Sequence, residues 1–192
     1  MGGNIILLFL LLFYHNFHLF LIRGDKTIDL TPGENTKASF FGWTKDEKEM
    51  YFLSNSRDSR FFDVYKMNVE SLKTNMIFKN DQGYTYNGIS NNDKYLILNL
   101  NPSREIDEMF LYELETKKKI EISNQEANFW GQGFDKSDEN YYYSTNYDSE
   151  FLYLMTYNIK TGKRNLVYKT NWDVTRNSLS KNDKYRVVTV NQ

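Results

Sequence analysis

Gly42-Trp43-Thr44-Lys45-Asp46-Glu47-Lys48 is the stretch that decides the fold, because its pattern recurs three more times along the chain. The later copies are Gly88-Ile89-Ser90-Asn91-Asn92-Asp93-Lys94, Gly133-Phe134-Asp135-Lys136-Ser137-Asp138-Glu139 and Ser178-Leu179-Ser180-Lys181-Asn182-Asp183-Lys184. We call Glu47, Asp93, Asp138 and Asp183 the acidic anchors; they are spaced 46, 45 and 45 residues apart. Eight residues after each anchor stands an asparagine, at Asn55, Asn101, Asn146 and Asn191. A fixed period of this length indicates a repeat architecture.

Each copy reads as a strand, a tight turn and a second strand. The residue four before the anchor is large and apolar, and we expect it to be the last buried side chain of the first strand: Trp43, Ile89, Phe134 and Leu179. Ser, Thr, Asn and Asp then suit a turn, because their side chains bond the local backbone. The second strands are rich in aromatic and branched residues, as in Met50-Tyr51-Phe52-Leu53 and Tyr95-Leu96-Ile97-Leu98.

Two further strands complete each repeat, with Phe62 to Met67 and Asn75 to Phe78 as the first example. Four antiparallel strands in about 45 residues are typical of one blade of a β-propeller. The sequence therefore predicts an all-β fold, a partial β-propeller, with about twelve strands in three sheets between residues 38 and 170 and with little helix. The acidic anchors are expected at equivalent hairpin turns.

The predicted organisation is a partial β-propeller over 17–192, with a half blade at 17–33, blades at 38–80, 84–125 and 128–170, and the start of a further blade at 172–192. Both ends fall inside a blade, so we expect the chain to be part of a longer propeller. Residues 1–16 read as an apolar leader or membrane-directing segment, or as an accidental start from a truncated gene. The apolar run has no preceding Lys or Arg and no small-residue cleavage site, which is unusual for a signal peptide.

The repeats resemble the WD40-like (PD40) repeat of TolB-type propellers. They also resemble the N-terminal propeller of prolyl-oligopeptidase-family (S9) serine peptidases, and this second likeness is the stronger one. The stretch from Asp46 to Asp58, followed by Asp63-Val64-Tyr65, carries the resemblance, which extends over about residues 17 to 192. Asn140 departs from the pattern, and no copy has the glycine often found after the aspartate in this family.

The resemblance implies a propeller that gates or binds peptide substrate for a hydrolase and is not itself catalytic. A C-terminal α/β-hydrolase domain, absent from these 192 residues, would then carry the chemistry. The alternative is a non-catalytic TolB-like propeller that binds a protein partner. A Gly-x-Ser-x-Gly motif downstream of Gln192 would favour the peptidase. The expected location is periplasmic, secreted or membrane-associated if the leader is real, and cytoplasmic otherwise.

The remaining residues show no catalytic, cofactor-binding or metal-binding motif. The net charge of −1 argues against a nucleic-acid partner, and membrane contact is expected only through residues 1–22. The chain has no cysteine, no Gly-x-Ser-x-Gly, no phosphate-binding glycine loop and no His-Glu-x-x-His. The acidic anchors are read as turn residues rather than metal ligands, and His15 and His18 as polar interruptions of the leader. Tyr141-Tyr142-Tyr143 is interpreted as packing between blades, and Lys117-Lys118-Lys119 as a solvated turn.

Overall fold

A computed structural model describes residues 5–11, 16–123 and 125–192, with side chains from residue 17 onward. The described residues form seventeen strands and no helix. They include no helix with the length and apolar character needed to span a membrane. The chain divides into two compact units, Met1–Tyr84 and Thr85–Gln192, which we describe separately.

The first unit contains two antiparallel sheets. The first sheet has the order β1 (Ile5–Leu11), β2 (Asn16–Arg23) and β3 (Lys26–Asp29). The second has the order β4 (Ala38–Trp43), β5 (Glu49–Asp58), β6 (Phe61–Asn68) and β7 (Thr74–Phe78). A buried cluster of Leu19, Ala38, Met50, Phe52 and Met67 forms the core of this first unit.

The N-terminal apolar run is in part a strand, since β1 pairs along its length with β2. Residues 1–4 and 12–15, which include His15, lie outside the described residues. The interpretation of 1–16 as a leader stays a prediction.

The second unit contains two four-stranded sheets and one two-stranded sheet, all antiparallel. The first comprises β8 (Thr85–Ile89), β9 (Tyr95–Leu100), β10 (Glu108–Glu113) and β11 (Lys119–Glu121). The second comprises β12 (Phe129–Phe134), β13 (Asn140–Thr145), β14 (Tyr153–Asn158) and β15 (Arg164–Tyr168), and the third comprises β16 (Asp173–Leu179) and β17 (Arg186–Asn191). The four-stranded sheets follow chain order, so each is one blade built from consecutive hairpins. The predicted all-β fold, a partial propeller of four-stranded blades, is confirmed.

Alternation along β13 places its tyrosines in two cores. Tyr141 and Tyr143 are buried with Ile97, Met109 and Leu111, while Tyr142 faces the opposite side and packs with Leu154 and Val174. Side chains on a strand point alternately to its two faces, so one run of three aromatics fills both.

The prediction that Trp43 would be buried is wrong, because 45% of its side chain is exposed. A β-bulge between Phe40 and Gly42 shifts the register of β4 just before Trp43. The Trp43 ring instead packs on the exposed ring of Phe40, with centroids 5.5 Å apart. Ile89, Phe134 and Leu179, at the equivalent positions, are half-buried.

Candidate binding site

The four acidic anchors adopt the same backbone conformation. Their φ angles lie between 55° and 61°, in the left-handed region. Each anchor N–H donates to the carbonyl oxygen of the residue three before it, over 2.8 to 3.2 Å, at Thr44, Ser90, Asp135 and Ser180. The geometry is that of a type I turn followed by one left-handed residue, and aspartate tolerates this conformation better than most residues.

The residue that opens each turn also holds it closed. Its N–H donates across the hairpin to the carbonyl of the residue five positions on, over 2.9 to 3.0 Å in all four copies. In the second copy the Ser90 hydroxyl donates to Asn92 at 2.8 Å and accepts from the Tyr95 N–H at 2.9 Å. Asp135 replaces the hydroxyl in the third copy, where its carboxylate accepts from the Glu139 N–H at 3.0 Å.

Two anchors of the second unit join one repeat to the preceding one. The Asp138 carboxylate accepts hydrogen bonds from the backbone N–H groups of Asn91 and Asn92, each at 2.8 Å, and from the Asn91 side-chain amide at 2.8 Å. Asp183 repeats the contact one blade later, where its carboxylate accepts from the Lys136 N–H at 3.0 Å. The acidic side chain therefore fastens neighbouring turns together, in addition to shaping its own.

The asparagines eight residues after the anchors fall into three groups. Asn55 and Asn146 have equivalent contacts, because each side-chain oxygen accepts a backbone N–H eighteen residues earlier, from Lys37 at 2.6 Å and from Asn128 at 2.9 Å. The Asn101 side chain instead donates to Asp107 within its own blade. Asn191 lies at the end of β17 and is exposed.

The sequence analysis did not identify a row of amide side chains on the first strands of the second unit. Asn87, Gln132 and Asn177 each stand six residues before an acidic anchor, on β8, β12 and β16. Gln132 connects two of these strands, since its side-chain nitrogen donates to the Thr175 carbonyl at 3.2 Å and its oxygen accepts the Asn177 N–H at 2.9 Å. Aligning the repeats on their anchors would have revealed the row; Phe41 occupies this position in the first copy.

Strands β8 and β12 approach closely because Gly131 has no side chain. A Cβ atom added there would lie 2.6 Å from the Asn87 Cβ and would also clash with the Tyr141 hydroxyl. That hydroxyl donates to the Asn87 carbonyl at 3.0 Å. Burial raises the pKa of Tyr141 well above its usual range, and burial also raises the pKa of the nearby Tyr143 to about 12. Both side chains therefore stay neutral within the buried core of the second unit.

Two polar cavities flank β12. The first, which we call the turn-end cavity, has a volume of about 260 Å³ and is lined by residues that include Gln132, Phe134, Lys136, Asn177, Leu179 and Lys181. The second, the Trp130 cavity, has a volume of about 250 Å³ and is lined by residues that include Thr85, Asn87, Asn99, Asn101, Asp107 and Trp130. The Trp130 side chain is 46% exposed and offers an apolar surface beside these amides.

The described residues show neither an activated nucleophile nor a metal cluster. His18 is buried, and its Nδ1 lies 2.8 Å from an Asp29 carboxylate oxygen. Its Nε2 has no hydrogen-bond partner among the described residues, so no serine hydroxyl is bound to it there. Within the same part of the chain, no group of three or more His, Cys, Asp or Glu side chains could hold a metal ion.

No family model and no curated protein matches the chain. Solved structures do match. TolB from Acinetobacter baumannii superposes with a TM-score of 0.68 and 13% identity, over 97% of this chain and 46% of that one. A prolyl endopeptidase gives a TM-score of 0.57 and 15% identity, over 80% of this chain and 23% of that one. Dipeptidyl peptidase 4 from Porphyromonas gingivalis gives a TM-score of 0.53 and 15% identity, over 83% of this chain and 31% of that one.

These likenesses establish the fold. It is a TolB-like β-propeller fold, which the S9 peptidases among the matches share, and the resemblance inferred from the repeats is confirmed at that level. The chain spans about half the length of the TolB structure.

Proposed function

We propose that this TolB-like chain is the non-catalytic propeller part of an S9-type serine peptidase, where it binds or gates peptide substrate. The observation that carries the proposal is the row of amides on the first strands, between two polar cavities. The Gln132 amide is already bonded to Ser144, Thr175 and Asn177, so Asn87 and Asn177 are the amides that a peptide would meet at the two cavities. A side-chain amide offers a donor and an acceptor together, which is what the backbone of an extended peptide requires. An exposed tryptophan beside them supplies apolar contact area of the kind that dominates binding surfaces.

The catalytic serine and its base would lie outside these 192 residues. In the described part of the chain His18 is bonded to Asp29 and to no serine. A hydrolase of this type needs a nucleophile within hydrogen-bond reach of a base. The propeller would then act on the reaction only by selecting which peptides reach the second domain.

Peptide titration of the full chain tests the binding step. We expect short peptides to bind in a calorimetric titration, and we expect Trp130→Ala to weaken binding at least tenfold. Trp172→Ala is the matched control, because Trp172 is similarly exposed at 42% but packs on Phe151 and lines neither cavity. Equal affinities for wild type and both variants would contradict the placement of the site.

A TolB-like protein-binding propeller is the second candidate, and the coverage of 97% of this chain by the TolB match favours it. Two observations distinguish the candidates. The peptidase requires a Gly-x-Ser-x-Gly motif in the coding sequence that follows Gln192. A TolB-like module instead predicts that a folded protein, and no short peptide, binds the same face.

A further inference from the structure

The turn-end cavity contains a buried hydrogen-bond acceptor without a donor. Asn177 is only 7% exposed, and its Oδ1 atom has no partner among the described residues. The Asn177 backbone N–H donates to Gln132, and the residue lies in the cavity wall. An unpaired buried carbonyl is unfavourable, and native structures usually provide it with a donor. A ligand in this cavity that carries an N–H group would supply one.

Two ammonium groups border the same cavity. Lys136 and Lys181 follow β12 and β16 at equivalent turn positions, both are exposed, and neither has an ion-pair partner among the described residues. Asp183 also lines the cavity, and its carboxylate is occupied in part by the Lys136 N–H at 3.0 Å. The charged side chains that line the cavity are therefore two lysines and one aspartate, and this lining favours an anionic ligand.

Apolar side chains complete the lining. Phe134 and Leu179, the residues four before their anchors, are half-buried and contribute to the cavity wall. A ligand that fits must therefore present an N–H donor, an anionic group and an apolar group close together. The last residue of a peptide has all three, in its backbone N–H, its terminal carboxylate and its side chain.

We propose that the turn-end cavity captures the C-terminal residue of a peptide. The terminal N–H donates to Asn177 Oδ1, the carboxylate binds Lys136 and Lys181, and an apolar side chain packs on Phe134 and Leu179. This inference rests on the proposed function, because it names the end of the peptide that the same face would hold. Ammonium groups bind carboxylates through charge-assisted hydrogen bonds, which are among the stronger ones in proteins.

The test compares two N-acetylated tripeptides that end in leucine, one with a free carboxylate and one with a C-terminal amide, by calorimetric titration into the full chain. The free acid should bind at least tenfold more tightly than the amide, a difference of about 1.4 kcal/mol. Lys136→Gln and Lys181→Gln should each reduce that preference, and Asn177→Leu should weaken both peptides. Lys160→Gln is the matched control, because Lys160 is an exposed lysine on the turn after β14 and lies outside the cavity.

The outcomes separate this inference from the function on which it rests. Equal binding of acid and amide, unchanged in both lysine variants, would overturn carboxylate capture and leave peptide binding intact. Failure of both peptides to bind folded wild type, checked by circular dichroism, would overturn both proposals. Inorganic phosphate is titrated as a third ligand. Lysine-dependent binding of phosphate without binding of the acid peptide would show that the cavity is an anion site, and would refute the capture of a peptide C-terminus.

Discussion

Replacing Asp138 by alanine should separate the two roles of an acidic anchor. The side chain is 7% exposed and its carboxylate accepts three hydrogen bonds from Asn91 and Asn92, while its backbone is in the left-handed region at a φ of 58°. Asp138→Ala removes the bonds and places a less tolerant residue at this φ. Asp138→Gly removes the bonds alone, because glycine adopts positive φ without strain.

The magnitude follows from the three contacts. A hydrogen bond to a charged group contributes about 1.5–3 kcal/mol, so three would contribute about 4.5–9 kcal/mol if they were additive. Asn91 and Asn92 are exposed, however, and water replaces the lost carboxylate at their N–H groups. We therefore expect Asp138→Ala to reduce the free energy of unfolding by about 2–4 kcal/mol. Asp138→Gly should recover about 1 kcal/mol of that loss.

Guanidinium unfolding followed by tryptophan fluorescence measures these differences, provided that the slope with denaturant is unchanged. Glu47 is the matched control, since it has a φ of 57° but is exposed and has no recorded side-chain hydrogen bond among the described residues. Glu47→Gly should be neutral or stabilising by up to about 1 kcal/mol. If Glu47→Ala and Asp138→Ala cost the same, the carboxylate contributes nothing between the turns and the reasoning is refuted.

Three further changes have defined outcomes. Burial raises the pKa of Tyr143 to about 12, so its contribution to the free energy of unfolding is complete below its ordinary pKa of about 10 and is lost between pH 10 and pH 12. In Tyr143→Phe, the loss of unfolding free energy between pH 9 and pH 12, measured by unfolding at both pH values, should be smaller by up to about 3 kcal/mol. Gly131→Ala should cost about 1–3 kcal/mol through overpacking, whereas Gly42→Ala, whose Cβ meets nothing within 4 Å, should cost little in the same melts. Arg57→Gln should lower the melting temperature more than Arg60→Gln, because Arg57 bonds the fully buried Asp63 carboxylate at 2.6 and 2.8 Å, whereas Arg60 is an exposed side chain that bonds the half-buried Asp58. The reverse order would contradict this assignment.

The repeat period predicted the fold because the strand-turn-strand unit is specified locally. Residues such as Ser90 and Asn92 bond the backbone within five positions of themselves, so their contacts can be read from the sequence. The twelve strands from Ala38 to Tyr168 then follow from alternation and spacing.

The features missed by the sequence depend on contacts between repeats. The residues around Asp138 in the sequence do not show that its carboxylate bonds Asn91 and Asn92, which stand 47 and 46 residues earlier. The exposure of Trp43 is not specified by the repeat, because the first strand of every repeat has an equivalent bulge and the residues equivalent to Trp43 are half-buried. The amide row of Asn87, Gln132 and Asn177 was visible only in an alignment of the repeats on their anchors.

The contacts between Asp138 and Asn91 and between Asp183 and Lys136 use the same two positions of the repeat. In both, the donor stands two residues before an anchor and the acceptor is the next anchor, so the third copy carries both halves of the joint. A gene segment of one period, duplicated in frame, would therefore encode a blade whose connection to its neighbours is already present. Unequal recombination could lengthen such an array and keep the backbone part of each joint, because the Lys136 contact uses an N–H group that every residue except proline has.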